Sequence, residues 1–492
     1  DVYKRQILAM ATKPDFDPND PTTIYDPDLA ATLEGLEGDA FTQAQGEARQ
    51  RQWKNKAITD LYVPGSVFKL ITTSAAIDSG TCTPNSSFNC TGHYTVVTQD
   101  YSCADNGFGV LGVHGWQNMG EVLKNSCNLA TIQEAQLMGK DVFSDYYNAF
   151  GFTAPTGVDL PAEQQIRAGV SYHAAEEMSA VDLASSSFGQ AQKVTPIQMI
   201  TAMCAVANGG KLMQPYIVKQ IVDAEGNVIS NTEPVVKRQV VSEDISQEMR
   251  LMLEQVVANG SGRQAQIPGY RVGGKTGTSE QLDSPKLKSE GRTPNTLSFF
   301  GFAPVEDPQV ACLVLIDDPD IYNAYGSTVA APIVGAVLAD TLPYMGIEPQ
   351  YTEEELANVA TKAEYLINLD LHDAQYKCRV SGLKYRVVGN GTKVLRQIPE
   401  VGETIPEGGT IVLYTEEEGA GDLIPVPDVV GKTVEEANRS IVGAGLNISI
   451  SGEQIEGTHQ VVSSQTPAAG EQVEAGTVVT IQCVESTAPV TE

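Results

Sequence analysis

The chain has 492 residues, which predicts two to four domains at about 100–200 residues per domain. Hydrophobic residues make up 41% and charged residues 19% of it, and this balance excludes a wholly disordered chain. Lys and Arg number 32 and Asp and Glu 62, a net charge of −30. Such an acidic surface repels phosphate backbones, so we expect no nucleic-acid partner and interpret the charge as a well-solvated surface.

The amino terminus carries no recognisable targeting segment. No apolar run reaches the roughly 18 residues that a membrane helix needs, and no signal peptide opens the chain. The chain starts at Asp1 without Met, and its first six residues do not fit the apolar run that follows. We therefore expect the chain to be truncated.

The cysteines and histidines show none of the usual metal-binding spacings. The eight Cys include no Cys-x-x-Cys pair, and the five His lack His-Glu-x-x-His or paired spacing. We predict no metal site and no cofactor. Cys90 and Cys103 flank a short Gly- and Tyr-rich segment. A disulfide between them is compatible with a location outside the cytoplasm, and free buried thiols are an equal alternative.

In chain order, the first 350 residues predict one mixed α/β unit. Ile7–Ala11 is a short apolar run typical of a strand. Ser66–Ser79 predicts a helix, because its apolar residues recur at three- and four-residue spacing and a glycine follows as C-cap. Ser179–Asn208 predicts a helical region with a break, where Thr195 caps a new helix and Pro196 occupies its first turn.

Two strands and a helix close this unit. Ser298–Pro304 and Gln309–Asp317 are apolar runs joined by a four-residue connection, which is typical of a hairpin. Thr328–Leu342 predicts the closing helix. The composition then changes, and the polar, acidic stretch Thr352–Leu369 predicts a linker and the first helix of a further region.

An internal repeat occupies the carboxy-terminal region. Residues 397–408 match residues 465–476 at an offset of 68 positions, and each copy is followed by an alternating strand, Thr410–Tyr414 or Thr477–Gln482. A Gly-Leu pair at the end of a helix-like stretch precedes each copy. Two copies are too few for a solenoid, so we predict two small αβ modules in tandem.

Several catalytic signatures are missing from the chain. It contains no phosphate-binding Gly-x-x-x-x-Gly-Lys-Ser/Thr loop and no protein-kinase signature set. It also lacks the Gly-x-Ser-x-Gly elbow, which argues against an α/β-hydrolase.

A first candidate motif is Ser66-Val-Phe-Lys69 at the start of a predicted helix. The three-residue spacing puts both side chains on one helix face. A partly desolvated amine can be neutral and accept the hydroxyl proton, which activates a serine nucleophile. The motif is weak alone, because Ser381 and Lys384 repeat it inside the tandem modules.

Two further motifs add polar groups that suit acyl transfer. In Ser126-Cys127-Asn128, the hydroxyl and the amide can relay a proton and hold a peptide carbonyl, although Ser87-Phe-Asn89 repeats the pattern. The third motif occurs once and reads Lys275-Thr276-Gly277-Thr278. On an edge strand, its Lys and Thr side chains can bind a carboxylate, and Gly277 leaves room for a substrate backbone. The N–H groups of Thr278 and Ser66 could form an oxyanion hole.

Together, and in this order, the three motifs resemble the signatures of the penicillin-binding proteins. Residues 7–19, 189–215 and 298–304 are similar to flanking segments of the class B enzymes, and the repeats resemble PASTA modules, most clearly over residues 426–483. The resemblance implies a class B, division- or sporulation-type D,D-transpeptidase with an α/β (α+β) fold. A central antiparallel sheet lies between helical layers in this serine β-lactamase/D,D-transpeptidase-like fold, and two α+β PASTA modules follow.

The resemblance also implies domain bounds. It predicts a transpeptidase domain over 1–350, a linker over 351–359, a degenerate first module over 360–416, a second module over 423–484 and a tail over 485–492. A membrane anchor and a pedestal domain, which such proteins carry, are expected to be missing here. The native protein would then be anchored at the outer face of the bacterial cytoplasmic membrane.

By position, the resemblance assigns a role to each motif residue. Ser66 would attack the D-Ala-D-Ala carbonyl of a peptidoglycan stem peptide, and Lys69 would be the general base. Ser126 and Asn128 would move protons and position the substrate. The terminal carboxylate would be held by the third motif, that is by Lys275, Thr276 and Thr278 beside Gly277. An amine of a second stem would accept the acyl group, β-lactams would acylate the serine, and cell-wall synthesis proteins in the membrane would be partners.

Other functions use the same motifs. A D,D-carboxypeptidase or a β-lactamase would pass the acyl group to water, although Glu163 does not match the Glu-x-x-Leu-Asn loop of class A β-lactamases. The repeats and the class B-like segments favour a transpeptidase. A variant with low affinity for β-lactams and a non-catalytic wall-binding scaffold are further alternatives, and the three intact motifs argue against the scaffold.

Overall fold

The computed structural model describes most of the chain, in segments: residues 1–103, 112–282, 293–320, 324–347, 349–350, 360–363, 365–381, 383–406, 409–416, 423–450 and 460–485. Two compact units are present: the first comprises residues 1–266 and 271–341, and the second comprises residues 267–270 and 342–492. The predicted linker 351–359 lies outside the described residues, as does most of the predicted tail.

The first unit mixes helices with short strands. Its helices are α1 Pro27–Ala31, α2 Gly38–Gln52, α3 Lys56–Thr59, α4 Lys69–Asp78, α5 Met119–Lys124, α6 Asn128–Ala149, α7 Ala180–Ser187, α8 Pro196–Ala207, α9 Glu243–Asn259 and α10 Ala331–Tyr344, whose last turn enters the second unit. Its strands are β1 Ser87–Cys90, β2 His93–Val96, β3 Gln99–Ser102, β4 Gly115–Asn118, β5 Lys211–Met213, β6 Gln220–Val222, β7 Val228–Asn231, β8 Val236–Gln239, β9 Gly273–Glu280, β10 Asn295–Ala303 and β11 Val310–Asp317. Short turns of 3₁₀-helix cover Gly65–Phe68 and Arg263–Ala265, and a π-helical turn covers Gly326–Ala330.

A three-stranded antiparallel sheet in the order β11-β10-β9 forms the centre of the first unit. Side chains alternate along β10, so Phe300 and Phe302 point to one face and belong to the large core formed with α4, α5, α6 and α8. On the other face, the Cα of Gly301 lies so close to Val334 of α10 that a Cβ would approach it to 2.7 Å. Helices therefore cover both faces, which confirms the predicted fold class.

The predicted helices of this unit are present. The region from 179 to 208 contains α7 and α8, and Thr195 caps α8 through a capping box with Gln198, with Pro196 in the first turn. The predicted strand Ile7–Ala11 is wrong. Its backbone forms an isolated β-bridge near its start, where the Ile7 N–H donates to the Tyr216 carbonyl oxygen at 2.8 Å. Its apolar side chains Ile7 and Met10 pack in a small cluster beside α3 and α8.

The helical stretch Gly326–Tyr344 bears on the expectation that no apolar run is long enough for a membrane helix. It is long and apolar enough to cross a membrane by length and composition alone. In the fold, however, Val334 and Leu338 are fully buried, and the helix covers the sheet. We therefore interpret it as a core helix of the first unit.

The second unit contains two modules with the same topology. Its helices are α11 Leu371–Val380 and α12 Val434–Gly443, and its strands are β12 Ala360–Lys362, β13 Lys384–Val388, β14 Arg396–Ile398, β15 Thr404–Pro406, β16 Thr410–Tyr414, β17 Leu423–Pro425, β18 Asn447–Ile450, β19 Gln460–Thr466, β20 Gln472–Glu474 and β21 Val478–Glu485. Each module has a three-stranded sheet, β13-β16-β14 or β18-β21-β19, with one parallel and one antiparallel pair. The first described element of the first module is β12 and its first described helix is α11, whereas much of the predicted linker and first helix over Thr352–Leu369 lies outside the described residues.

Candidate active site

Ser66 lies in a tight turn that leads directly into α4. The turn is anchored by Val67 and Phe68, which are fully buried, while Ser66 itself is half-buried. Gly65 has φ +60°, and a Cβ there would lie 2.9 Å from the Thr278 carbonyl oxygen of β9. A glycine is therefore required at 65, and its small size brings the serine turn against the strand that carries the third motif.

Lys69 and the Ser126 turn form the centre of a hydrogen-bond network. The Lys69 Nζ donates to the Ser126 carbonyl oxygen at 2.5 Å and to the Ser126 Oγ at 3.1 Å. Ser126 has φ +53°, an unusual conformation for a residue with a side chain. Asn128 begins α6 two residues later. The first and second motifs thus meet through one lysine.

Lys275 joins the same serine from β9, the edge strand of the described sheet. Its Nζ donates to the Ser126 Oγ at 2.9 Å and to the Thr276 carbonyl oxygen at 3.0 Å. The Lys275 side chain is fully buried, so its amine takes part in the site through these hydrogen bonds. The half-buried Thr278 is the member of the third motif that reaches the surface most.

Gly277 packs against the protein itself. A Cβ at this position would lie 2.3 Å from the Ser298 Oγ and 3.0 Å from Val67 Cγ1. The sequence predicted room here for a substrate backbone, whereas the structure shows that Ser298 of β10 and Val67 of the serine turn border this space. On the next residue, Thr278 Oγ1 accepts a hydrogen bond of 3.4 Å from the Gly326 N–H.

Burial shifts the pKa values of the ionisable groups at the centre of the site. It lowers the pKa of Lys69 to about 8, against partial compensation by nearby thiols and Glu134. Burial, and then the charge of Lys69, hold the pKa of Lys275 well below its ordinary value. Burial raises the pKa of Glu134 to about 8, although Thr73 donates to its Oε2 at 2.8 Å. A neutral amine is therefore accessible at Lys69 near neutral pH.

Comparison with known families identifies the catalytic unit. The profile of the penicillin-binding protein transpeptidase domain matches residues 1–339, more than half of the chain. The chain belongs to this penicillin-binding protein family. The PASTA domain profile matches residues 363–417 and 424–483, in the second unit.

Named relatives come from several bacteria. Stage V sporulation protein D of Bacillus subtilis is 34% identical over 418 residues, which cover 84% of this chain and 59% of the relative. Peptidoglycan D,D-transpeptidase FtsI of Escherichia coli K12 is 28% identical over 371 residues, 75% of this chain and 53% of the relative. The chain thus spans little more than half the length of these curated relatives.

Solved structures of transpeptidase domains share the fold. The D,D-transpeptidase domain of a peptidoglycan glycosyltransferase from Eggerthella lenta superposes with a TM-score of 0.57 at 26% identity, covering 71% of this chain and 77% of that one. Penicillin-binding protein A of Mycobacterium tuberculosis, described as a ceftriaxone acyl-enzyme complex, gives 0.55 at 27% identity, with coverage of 68% and 71%.

In this penicillin-binding protein the repeated short motifs lie elsewhere. Ser381 and Lys384 belong to the second unit, where Ser381 follows α11 and Lys384 begins β13. The Ser87-Phe-Asn89 copy lies on β1. Sequence reasoning missed two polar neighbours of the site, Ser261, which shares a 2.9 Å hydrogen bond with Thr276 Oγ1, and Glu134 on α6. A single Ser or Glu without a motif gives no signal in the sequence.

Proposed function

We propose that this chain is the catalytic part of a peptidoglycan D,D-transpeptidase that crosslinks stem peptides through an acyl-enzyme on Ser66. The observation that carries the proposal is the Ser126 Oγ, which receives hydrogen bonds from Lys69 and from Lys275. This one atom connects the second motif with the first and the third. The family match and the acyl-enzyme described for the Mycobacterium tuberculosis relative support the same chemistry.

In the proposed acylation, the Ser66 Oγ attacks the carbonyl carbon of the penultimate D-Ala. Neutral Lys69 accepts the hydroxyl proton, and N–H groups of Ser66 and Thr278 bind the developing oxyanion. The network through Ser126 returns a proton to the departing amine, so the peptide bond breaks and D-Ala leaves. The buried Lys275 amine donates to the Ser126 Oγ and so orients this network.

In the second step, the amine of a neighbouring stem attacks the ester and releases Ser66. The amine loses one proton to Lys69, and the Ser66 oxygen regains one, so the enzyme returns to its starting state. Thr276 and Thr278 would hold the carboxylate of the donor through their hydroxyls, and Asn128 would position the donor backbone. In β-lactams the ring amide replaces the scissile bond and remains tethered, so the acyl group persists on the serine.

We further propose that catalysis takes place at the outer face of the bacterial cytoplasmic membrane, with membrane-embedded cell-wall synthesis proteins as partners. The relatives named for sporulation and for peptidoglycan synthesis support this proposal. The domain bounds 1–350, 360–416 and 423–484 remain part of the proposal. They agree closely with the two family profiles.

The test uses a donor peptide that ends in D-Ala-D-Ala and a labelled D-amino acid as acceptor. Exchange of the terminal D-Ala for the label, lost in Ser66→Ala and kept in the matched variant Ser381→Ala, is the expected result. Release of the shortened peptide without exchange would instead identify a carboxypeptidase. A folded protein with neither reaction would contradict the catalytic proposal and favour the wall-binding scaffold.

A further inference from the structure

Four sulfur and nitrogen side chains converge beside the second motif. Cys90 ends β1, Cys103 follows β3, His114 precedes β4, and Cys127 is the central residue of the Ser-x-Asn turn. One ligand atom from each of the four lies within 4.8 Å of those of the other three. In sequence the four residues are separated by 13, 11 and 13 positions, so only the fold brings them together. Neither Ser66 chemistry nor the hydrogen-bond network described above uses them.

The distances between these atoms suit a tetrahedral zinc ion. With Zn–S of about 2.3 Å and Zn–N of about 2.0 Å, two ligands of a regular tetrahedron lie about 3.5–3.8 Å apart. The Cys103 Sγ lies 3.7 Å from the Cys127 Sγ and 3.4 Å from the His114 Nδ1. Three thiolates with one imidazole form a soft donor set that favours zinc over magnesium or calcium.

The cluster lies at the amino terminus of α6, where Cys127 is the residue before the helix. The three cysteines are buried and free of disulfides, and the sulfurs of Cys103 and Cys127 accept hydrogen bonds from the backbone N–H groups of Asn128 and Ala130 at the start of α6. Such N–H groups stabilise negative charge at a helix amino terminus. A zinc ion with three thiolates and a neutral imidazole has a net charge of −1, which this position accommodates.

We propose that this cluster binds one structural Zn²⁺ ion, with four ligands: Cys90, Cys103, His114 and Cys127. The ion ties the paired strands β1 and β4 to the start of α6. Because Cys127 lies between Ser126 and Asn128, a fixed Cys127 sulfur also holds the left-handed Ser126 turn in place. This second consequence rests on the proposed function, whereas metal binding does not. Cys127 is thus a positioning residue for the Ser126 Oγ.

The metal content of the whole chain, purified without chelators, tests the site directly. Inductively coupled plasma mass spectrometry should find one zinc per chain, and replacement by Co²⁺ should produce thiolate-to-cobalt charge-transfer absorption. Cys90→Ser and His114→Ala should lose the ion, while the matched variant Cys312→Ser, altered on β11 away from the cluster, should keep it. The cobalt spectrum of the unaltered chain gives the answer even if the ligand variants do not fold.

Two results would overturn the site. One is a folded chain, supplied with Zn²⁺ and Co²⁺, that retains neither ion after dialysis. The other is a disulfide among the three cysteines in peptide maps of freshly purified, untreated protein.

The positioning role of Cys127 is tested by a separate measurement. Zinc removal should slow penicillin labelling at least tenfold, and re-addition should restore it. Unchanged labelling in the zinc-free chain would refute that role but would leave the metal site and the transpeptidase proposal standing.

Discussion

The rate of Ser66 acylation should depend on pH through Lys69. Burial lowers the pKa of this lysine from 10.5 to about 8. At pH 7 a pKa of about 8 leaves roughly 9% of the amine neutral, about 300-fold more than a pKa of 10.5 would allow. Lowering the pKa from 10.5 to about 8 favours the neutral base by about 3 kcal/mol.

We therefore expect the acylation rate constant to rise about tenfold per pH unit below pH 8 and to level off above it. Stopped-flow measurement of labelling by a fluorescent penicillin between about pH 5.5 and 9.5 checks this. Lys69→Arg should remove the inflection together with most of the rate, and Lys384→Arg should retain both. A flat profile, or a rise that continues beyond pH 9.5, would refute a neutral Lys69 as the base.

Three further predictions concern stability and are checked by urea denaturation of the whole chain. Gly189→Ala should lower the free energy of unfolding by about 3 kcal/mol or more and abolish penicillin labelling, because φ is +85° and the new Cβ would lie 2.2 Å from the Gly65 carbonyl oxygen. The control Gly226→Ala, with φ +86° and open space around it, should lower the free energy of unfolding by only about 1–2 kcal/mol. Glu134 has its pKa raised from 4.5 to about 8, so the folded state binds its proton more tightly than the unfolded state does. Its stabilising contribution is complete below about pH 4.5 and is lost as pH rises to about 8, by up to roughly 4–5 kcal/mol. Glu134→Gln should flatten this dependence and be the more stable form at pH 8, and an equal slope in both proteins would contradict the argument. Asn447→Ala should lower the free energy of unfolding of the second unit by about 2–4 kcal/mol, since this buried amide makes hydrogen bonds of 2.9, 2.9 and 2.6 Å to Thr410 and Gly476. A decrease below about 0.5 kcal/mol would contradict a stabilising role for these hydrogen bonds.

The sequence predicted those parts of the fold that are set by local pattern. Thr195 and Pro196 mark the start of α8 because capping and the proline ring act within one helical turn. The hairpin of β10 and β11 follows from two apolar runs of matching length. The strand expected at Ile7–Ala11 failed because apolar composition alone does not show whether a partner strand is present.

Within the site, the motifs indicated which residues meet but not how they are buried. Nothing local to Lys275 shows that its amine ends on the Ser126 Oγ, since this contact depends on how β9 packs against the start of α6. The convergence of Cys90, Cys103 and Cys127 with His114 was equally invisible. The expectation of no metal site rested on the absence of close Cys or His spacing, whereas these four residues lie 11–13 positions apart in the sequence.

The identity of the nucleophile is tested most directly by mapping the covalent adduct of a fluorescent penicillin. The purified chain is labelled, digested and analysed by mass spectrometry, with Ser66→Ala and Ser381→Ala treated in parallel. We predict a single, persistent adduct on the peptide that contains Ser66, absent from Ser66→Ala and unchanged in Ser381→Ala. A folded chain without an adduct, or with the adduct on another serine, would contradict the account.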